Sequence, residues 1–179
     1  MNQRIRKVLL LLLGLCLLLS THPSMRAQSL EEQTVLAALA LNIVRFTTWS
    51  PEAQLTATIN FCVVGDNVVQ QSFASIDDKA VGDKALHIIN LSRLQNFEQC
   101  DVLYISELKQ AILQQVFIEI KKRPLLTIGS GVNFAEQGGM VGMENVNDKI
   151  NLLVNLPAVR EANLNISARL LKLAKIIGN

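Results

Sequence analysis

Few residues of this chain have the types and spacing that catalysis requires. Beyond residue 27 there is one histidine, His87, in the middle of a predicted strand. An isolated strand histidine is typical of a packed or surface residue, because a general base needs a partner within hydrogen-bond reach. No cluster of Cys, His, Asp and Glu has the spacing of a zinc site, and no Gly-x-Ser-x-Gly motif is present. We therefore predict a protein that binds, not an enzyme, with no metal and no cofactor.

A Gly-Ser-Gly turn is the most suggestive motif for a ligand. Residues 129–131 follow a predicted buried strand, at the sheet edge where open α/β folds usually bind ligands. The turn lacks the lysine of a phosphate loop and the third glycine of a dinucleotide motif, so an ordinary tight turn is the simpler interpretation. If a small ligand binds, we expect it near Thr127, Ser130 and the turn formed by Gly138 and Gly139.

Two cysteines, Cys62 and Cys100, lie beyond residue 27. Cys62 falls inside the first predicted strand and Cys100 begins the third. These strands are neighbours in common doubly wound sheets, and an even cysteine pair in an exported protein is a disulfide candidate. The alternative is a pair of small buried thiols.

The first 27 residues are predicted to be an export signal, which would place the protein in the periplasm. Three basic residues among the first seven precede twelve apolar residues, 8–19. A spanning helix needs about 20 apolar residues, whereas twelve suit a signal-peptide core. Cleavage after Ala27 would leave one domain, residues 28–179. The alternatives are an uncleaved membrane anchor and lipid attachment at Cys16.

Loss of the signal also changes the charge. Four of 17 basic residues and none of 15 acidic residues precede residue 28, which leaves 13 basic against 15 acidic residues, a balance of −2. The remaining basic run, residues 121–123, ends a predicted helix, where cations are favoured. Nucleic-acid binding therefore lacks its electrostatic footprint.

Helical and strand patterns alternate along the chain. The predicted helices are residues 29–49, 68–76, 106–122 and 167–177, with Ser29 and Ser106 as N-caps of the first and third. The predicted strands are residues 56–64, 84–91, 101–105, 124–128, 139–143 and 149–154. This order predicts an α/β domain of three layers, with a mixed, mostly parallel sheet flanked by helices and a C-terminal antiparallel hairpin.

An aromatic segment ends the first predicted helix. Phe46 and Trp49 could anchor a protein partner. A helix end packed on the sheet accounts for them equally well.

The order of motifs resembles the YfiR-like family of periplasmic proteins. The matching segments are residues 42–51, 61–66, 100–106, 124–129, 134–140, 155–156 and 167–174. The resemblance implies a compact periplasmic α/β protein that can form a homodimer. It also implies repression of an inner-membrane diguanylate cyclase through that enzyme's periplasmic sensor region. Relief of the repression raises cyclic di-GMP and promotes biofilm formation.

The chain departs from this family at several positions. Cys62 and Cys100 stand where the family often has cysteines, but a second pair, expected near Gly142, is missing. Ser130 replaces a frequent Asp, and Asn151 and Leu153 replace a common Arg and Glu. Three functional hypotheses result. The first is a periplasmic regulator, the second a small-molecule-binding protein of an unrelated pathway, and the third an exported enzyme.

Overall fold

The computed structural model describes residues 25–51, 56–131, 133–147 and 149–178. Most of the predicted export signal lies outside these ranges, and its cleavage site after Ala27 stays a prediction. Within the described ranges, no helix is both long enough and apolar enough to cross a membrane.

Ten strands and five α-helices make up the described chain. The helices are α1 Met25–Arg45, α2 Asn67–Ala74, α3 Gln110–Glu119, α4 Leu156–Glu161 and α5 Ala168–Leu171, with a 3-10 turn at Phe97–Gln99. The strands are β1 Thr47–Trp49, β2 Thr58–Val64, β3 Ala80–Val81, β4 Lys84–Asn90, β5 Val102–Ile105, β6 Leu126–Ser130, β7 Val141–Val146, β8 Lys149–Asn155, β9 Leu164–Ile166 and β10 Ala174–Ile177.

Eight of the strands form the central sheet, in the order β10-β8-β7-β6-β5-β2-β4-β3. β4, β2, β5, β6 and β7 run parallel to one another, whereas β7 and β8 form an antiparallel hairpin. Val146 pairs with Lys149 across the tip, and Asn147 there has a φ of 53°, which suits the tight turns that join such strands. The predicted mostly parallel sheet and C-terminal hairpin are confirmed.

Both faces of the sheet are covered, and consecutive residues of β2, β5 and β6 are buried on both sides. One face packs against α1 and α2 through side chains such as Ile43, Phe73 and Tyr104. The other face packs against α3 and the loop that follows β4, through Leu113, Val116 and their neighbours. Runs that are apolar on every residue are the signature of a parallel sheet buried between two helical layers.

The first predicted helix was wrong at both ends, since α1 begins at Met25, which leaves Ser29 inside the helix and not at its N-cap, and it ends before the predicted residue 49. α1 stops at Arg45, and residues 47–49 form β1, which pairs antiparallel with β9. Thr47, Thr48 and Trp49 are β-branched or aromatic, so they favour a strand once a partner is available. Helical spacing predicts an apolar stripe on this helix formed by Val35, Leu36, Leu39, Ile43 and Phe46. Leu36 and Ile43 are buried as predicted, whereas Val35 is 48% exposed.

The prediction of one long C-terminal helix was wrong. Residues 168–171 form the short α5, and residues 174–177 form β10, which adds to β8 in parallel. A short apolar run fits either structure by periodicity alone, and the open edge of β8 decides for the strand.

The third predicted helix begins later than its proposed cap. α3 starts at Gln110 with Lys109 at the N-cap, so Ser106 does not cap it. Ser106 and Glu107 instead form a loop at the end of β5. This shift leaves both residues available at the carboxyl edge of the sheet.

Candidate ligand-binding cleft

The order in which the chain adds strands to the sheet reverses between β2 and β5. From β2 the chain passes through α2 to β4 on one side, then returns across β2 to β5 on the other side. Loops at the carboxyl ends of two such strands diverge, and the crevice between them is the usual ligand site of open α/β sheets. Here Gly65 and Asp66 follow β2, and Ser106 and Glu107 follow β5.

A cavity of about 810 Å³ occupies this crevice. Its size falls within the roughly 300–1,000 Å³ of pockets that hold small molecules. α1, the loops after β2, β4 and β5, and the ends of β6 and β7 all contribute to its walls. Apolar side chains line part of it: Leu36, Val64, Val69, Leu91, Leu108, Met143, Val146 and Ile150.

The charged residues that line the cleft are all acidic. Glu32, Asp66, Glu107 and Glu144 contribute carboxylates, and no Lys or Arg is among the described lining residues. None of the four forms an ion pair with a cation in the described part of the chain. A concave surface lined by charge of one sign concentrates ions of the opposite sign.

Hydrogen bonds to the protein hold three of these carboxylates in place. Oδ1 of Asp66 caps α2 by accepting from the backbone N–H groups of Val68 and Val69, at 2.9 and 3.0 Å. Oε1 of Glu32 accepts from Nδ2 of Asn145 at 2.7 Å. Each carboxylate thus uses one oxygen in hydrogen bonds to the protein, and its other oxygen accepts none from the described residues.

Glu144 and Glu107 complete the set. Oε1 of Glu144 accepts from the backbone N–H of Asn133 at 2.9 Å. Glu107 is exposed and accepts no hydrogen bond from the described residues. Among the four carboxylates, that of Glu107 is therefore the one least constrained by hydrogen bonds to the protein.

A buried phenol lies below the acidic rim. Tyr104 is 0% exposed and its ring lies 4.2 Å from that of Phe73, centroid to centroid. Burial raises the pKa of Tyr104 to about 12, and the negative charges of Glu32 and Glu107 add to the increase. The Ser130 side chain is near enough to lower this pKa, yet the geometry does not make a hydrogen bond, so the phenol oxygen has no partner among described residues.

The predicted ligand residues do not form one site. Ser130 lines the cleft, whereas Thr127 and Gly138 line a separate cavity of about 240 Å³. Thr127 is buried, and its Oγ1 accepts a hydrogen bond from the Met140 backbone N–H at 2.9 Å.

The glycines of this region serve packing. A Cβ atom on Gly129 or Gly139 would overlap the ring of Phe134, which lies against both backbones. Gly138 has a φ of 119°, a backbone conformation that residues other than glycine rarely adopt. These contacts explain the glycines without a ligand.

The aromatic segment also has structural contacts. Phe46 and Trp49 are half-buried and pack against the main core. The indole Nε1 of Trp49 donates a hydrogen bond to the Pro124 carbonyl at 3.0 Å. Packing at the junction of α1 and β1 therefore accounts for most of their surface, and a partner contact stays a prediction.

Cys62 and Cys100 form a disulfide. Their Cα atoms are 5.7 Å apart, since β2 and β5 are neighbours and Cys62 pairs in register with Leu103. The two residues are 0% and 6% exposed, within the core beneath α3. The bond ties β2 to β5, the two strands whose ends form the cleft.

His87 lies outside the cleft. Its Nδ1 is 3.7 Å from Oδ1 of Asp77, and both side chains are about half exposed. That Asp77 oxygen also accepts from the backbone N–H of Ile88 at 2.8 Å, so the carboxylate helps to hold the turn before β4. Within the described residues, no three Cys, His, Asp or Glu side chains come close enough to hold a metal ion.

Sequence reasoning missed the acidic residues of the cleft. Asp66 was interpreted only as part of a turn, and Glu107 was placed inside a helix. A usable signal was present, because each follows a buried parallel strand directly, at the edge where ligands bind. Glu32 and Glu144 gave no such signal, since they reach the cleft through the packing of α1 and the hairpin.

Comparison with known proteins identifies the family of this chain. A family model described as YfiR/HmsC-like matches residues 33–175. No curated protein sequence matches the chain significantly. Proteins of the matched family are periplasmic regulators of cyclic di-GMP signalling and are not catalytic. The match extends from α1 into β10, and on this basis the chain belongs to the YfiR/HmsC-like family.

Proposed function

We propose that this protein represses an inner-membrane diguanylate cyclase. Exported by residues 1–27, it binds the periplasmic sensor region of the cyclase, holds the enzyme inactive, and so lowers cyclic di-GMP and limits biofilm formation. Family membership carries the proposal, because YfiR/HmsC-like proteins regulate this signal from the periplasm. A buried disulfide suits that oxidising compartment.

Repression of this kind is a shift in the population of two cyclase states. The protein must bind the inactive state more tightly than the active one, since a ligand with equal affinity for both shifts nothing. To move a cyclase from mostly active to mostly inactive, the two affinities must differ by about 10⁴-fold, or about 5.5 kcal/mol.

Deletion genetics tests the function directly. Loss of this gene should raise cellular cyclic di-GMP and biofilm mass, and loss of the cyclase gene as well should abolish the rise. A copy without residues 1–27 should fail to complement, because it stays in the cytoplasm. A rise that persists without any membrane cyclase would refute repression.

The partner surface is open to a more local test. Thr48 is exposed between Phe46 and Trp49, so Thr48→Arg places a bulky charge on the proposed surface without altering the core. Gln115→Arg, at an exposed position of α3, is the matched control. We expect Thr48→Arg alone to weaken binding of the purified sensor region. Equal binding by both variants would exclude this surface.

We also propose a homodimer formed through the edge of the sheet. β10 pairs with β8 on one side only within the described chain, and Leu173 beside it is 78% exposed. An uncovered strand edge next to an apolar side chain is a ready template for a second copy. Leu173→Asp should then yield monomers in light scattering. Ile118→Asp, at a 74% exposed position of α3, should leave the dimer intact.

A further inference from the structure

The cleft between β2 and β5 presents an unusual set of polar groups. Four carboxylates line it, and no basic side chain does so in the described chain. Each of these groups accepts hydrogen bonds and carries negative charge. We propose that the cleft binds a small organic cation, an ammonium compound with an apolar portion. This inference is independent of cyclase repression.

Two buried polar atoms support a donor-rich ligand. Oε1 of Gln33, a lining residue, is shielded from solvent and has no hydrogen-bond partner in the described chain. The Tyr104 oxygen is likewise buried without a partner, and the residues that act on it, Ser130, Glu32 and Glu107, all line the cleft. Buried polar atoms are nearly always satisfied in folded proteins. Gln33 is only partly buried, so a small rotation of its side chain would bring Oε1 within reach of an ammonium group, which offers up to three N–H donors.

The arrangement favours an organic cation over a bare metal ion. A divalent ion needs several oxygen ligands within about 2.6 Å of one point. The described residues contain no three acidic, His or Cys side chains that close together. The carboxylates are spread around a cavity of about 810 Å³, which leaves room for a ligand body between them.

The apolar wall defines the rest of the ligand. Leu36, Val69 and Met143 are buried at the base of the cleft, next to the acidic rim. A hydrocarbon portion would cover these side chains while the ammonium group meets the carboxylates. Pockets that combine an apolar lining with a few polar groups are typical of small-molecule sites.

Calorimetry with defined amines tests the proposal. The probes are hexane-1,6-diamine, spermidine and phenethylamine at about pH 7, where their amines are protonated. The buffer is cacodylate, because Tris is itself an amine and phosphate would precipitate the calcium of the metal control. Hexane-1,6-diol is the neutral control and calcium chloride the metal control. We expect saturable binding of at least one amine below about 1 mM, no binding of the diol, and weakening by added salt.

Variants locate the binding. Glu107→Gln removes one charge from the exposed rim and should weaken the amine about fivefold, the upper end for an exposed ion pair. Glu98→Gln makes the same change of charge at an exposed position outside the cleft and should have no effect. The chain has one tyrosine, so the NMR signals of the Tyr104 ring report on the cleft without interference. They should shift on titration with the amine.

Several results would overturn the proposal. These are no binding of any of the three amines, equal binding of the diol, or equal effects of Glu107→Gln and Glu98→Gln. Unmoved Tyr104 signals would place the amine elsewhere. Calcium binding that displaces the amine at equal concentration would make the cleft a metal site. Binding of lysine-containing peptides, but of none of the three small amines, would make it a protein-docking site. Since cyclase activity enters none of these measurements, failure here leaves repression untouched.

Discussion

Removal of the Cys62–Cys100 disulfide should cost this domain a large part of its stability. The bond joins residues separated by 38 positions, and the closed segment contains α2, β3 and β4. In the chain-entropy model, a loop of that length restricts the unfolded chain by about 4 kcal/mol. Replacement of two buried sulfur atoms by hydrogen adds small cavities, worth about 1 kcal/mol together. The double variant Cys62→Ala/Cys100→Ala should therefore lose about 5 kcal/mol.

Urea unfolding measures this loss. Fluorescence of the single tryptophan, Trp49, and far-UV circular dichroism should report one transition, with the midpoint of the variant well below that of the wild type. The melting temperature should fall by about 10–20 °C for a chain of this size. The single variant Cys62→Ala should lose nearly as much, since it opens the same loop. A double variant within about 1 kcal/mol of the wild type, or two titratable thiols in unreduced wild-type protein, would refute the reasoning.

Three further substitutions test other parts of the structure. The free energy of unfolding of the wild type should fall by about 2–3 kcal/mol as the pH rises from 10 to 12, and Tyr104→Phe should abolish this fall. The reason is that folding raises the pKa of Tyr104, so the folded state favours the neutral phenol. The stability that this provides is fully present below pH 10 and is lost as the pH rises towards 12. Urea unfolding of both proteins at each pH measures the difference. Asp66→Ala should cost about 1 kcal/mol, since it removes the N-cap of α2, and Asp66→Asn should retain most of the cap in the same unfolding assay. Gly129→Ala should cost about 1–3 kcal/mol through overlap with the Phe134 ring, and Phe134→Leu in the same chain should recover part of it; additive losses in that double-mutant cycle would contradict the contact.

The sequence predicts the central sheet well because each buried strand carries its own signal. The runs at β2, β5 and β6 are mostly apolar and bounded by polar or glycine residues, and their length of four to seven residues favours a strand over a helix where periodicity alone does not decide. Common doubly wound sheets also place β2 next to β5, which is why a disulfide between Cys62 and Cys100 is expected from the sequence.

Elements whose structure depends on a distant partner were assigned wrongly. β1 exists because β9, more than 100 residues later in the chain, supplies its hydrogen bonds. β10 likewise depends on the free edge of β8. In both cases a local helical pattern was present, and tertiary pairing overrode it.

The cleft shows the same dependence at the level of function. Asp66 and Glu107 reach it because two parallel strands end side by side, which the order of elements predicts. Glu32 reaches it only because Leu36 and Ala40 on the next turns of α1 pack into the core, whereas Val35, which the predicted apolar stripe also included, is 48% exposed. A rotation of α1 that buried Val35 would move Glu32 about the helix axis, because residues three apart share a face. The acidic character of the cleft therefore depends on how one helix is seated, and a substitution such as Ala40→Leu, which forces α1 away from the sheet, should weaken amine binding without changing any residue of the cleft.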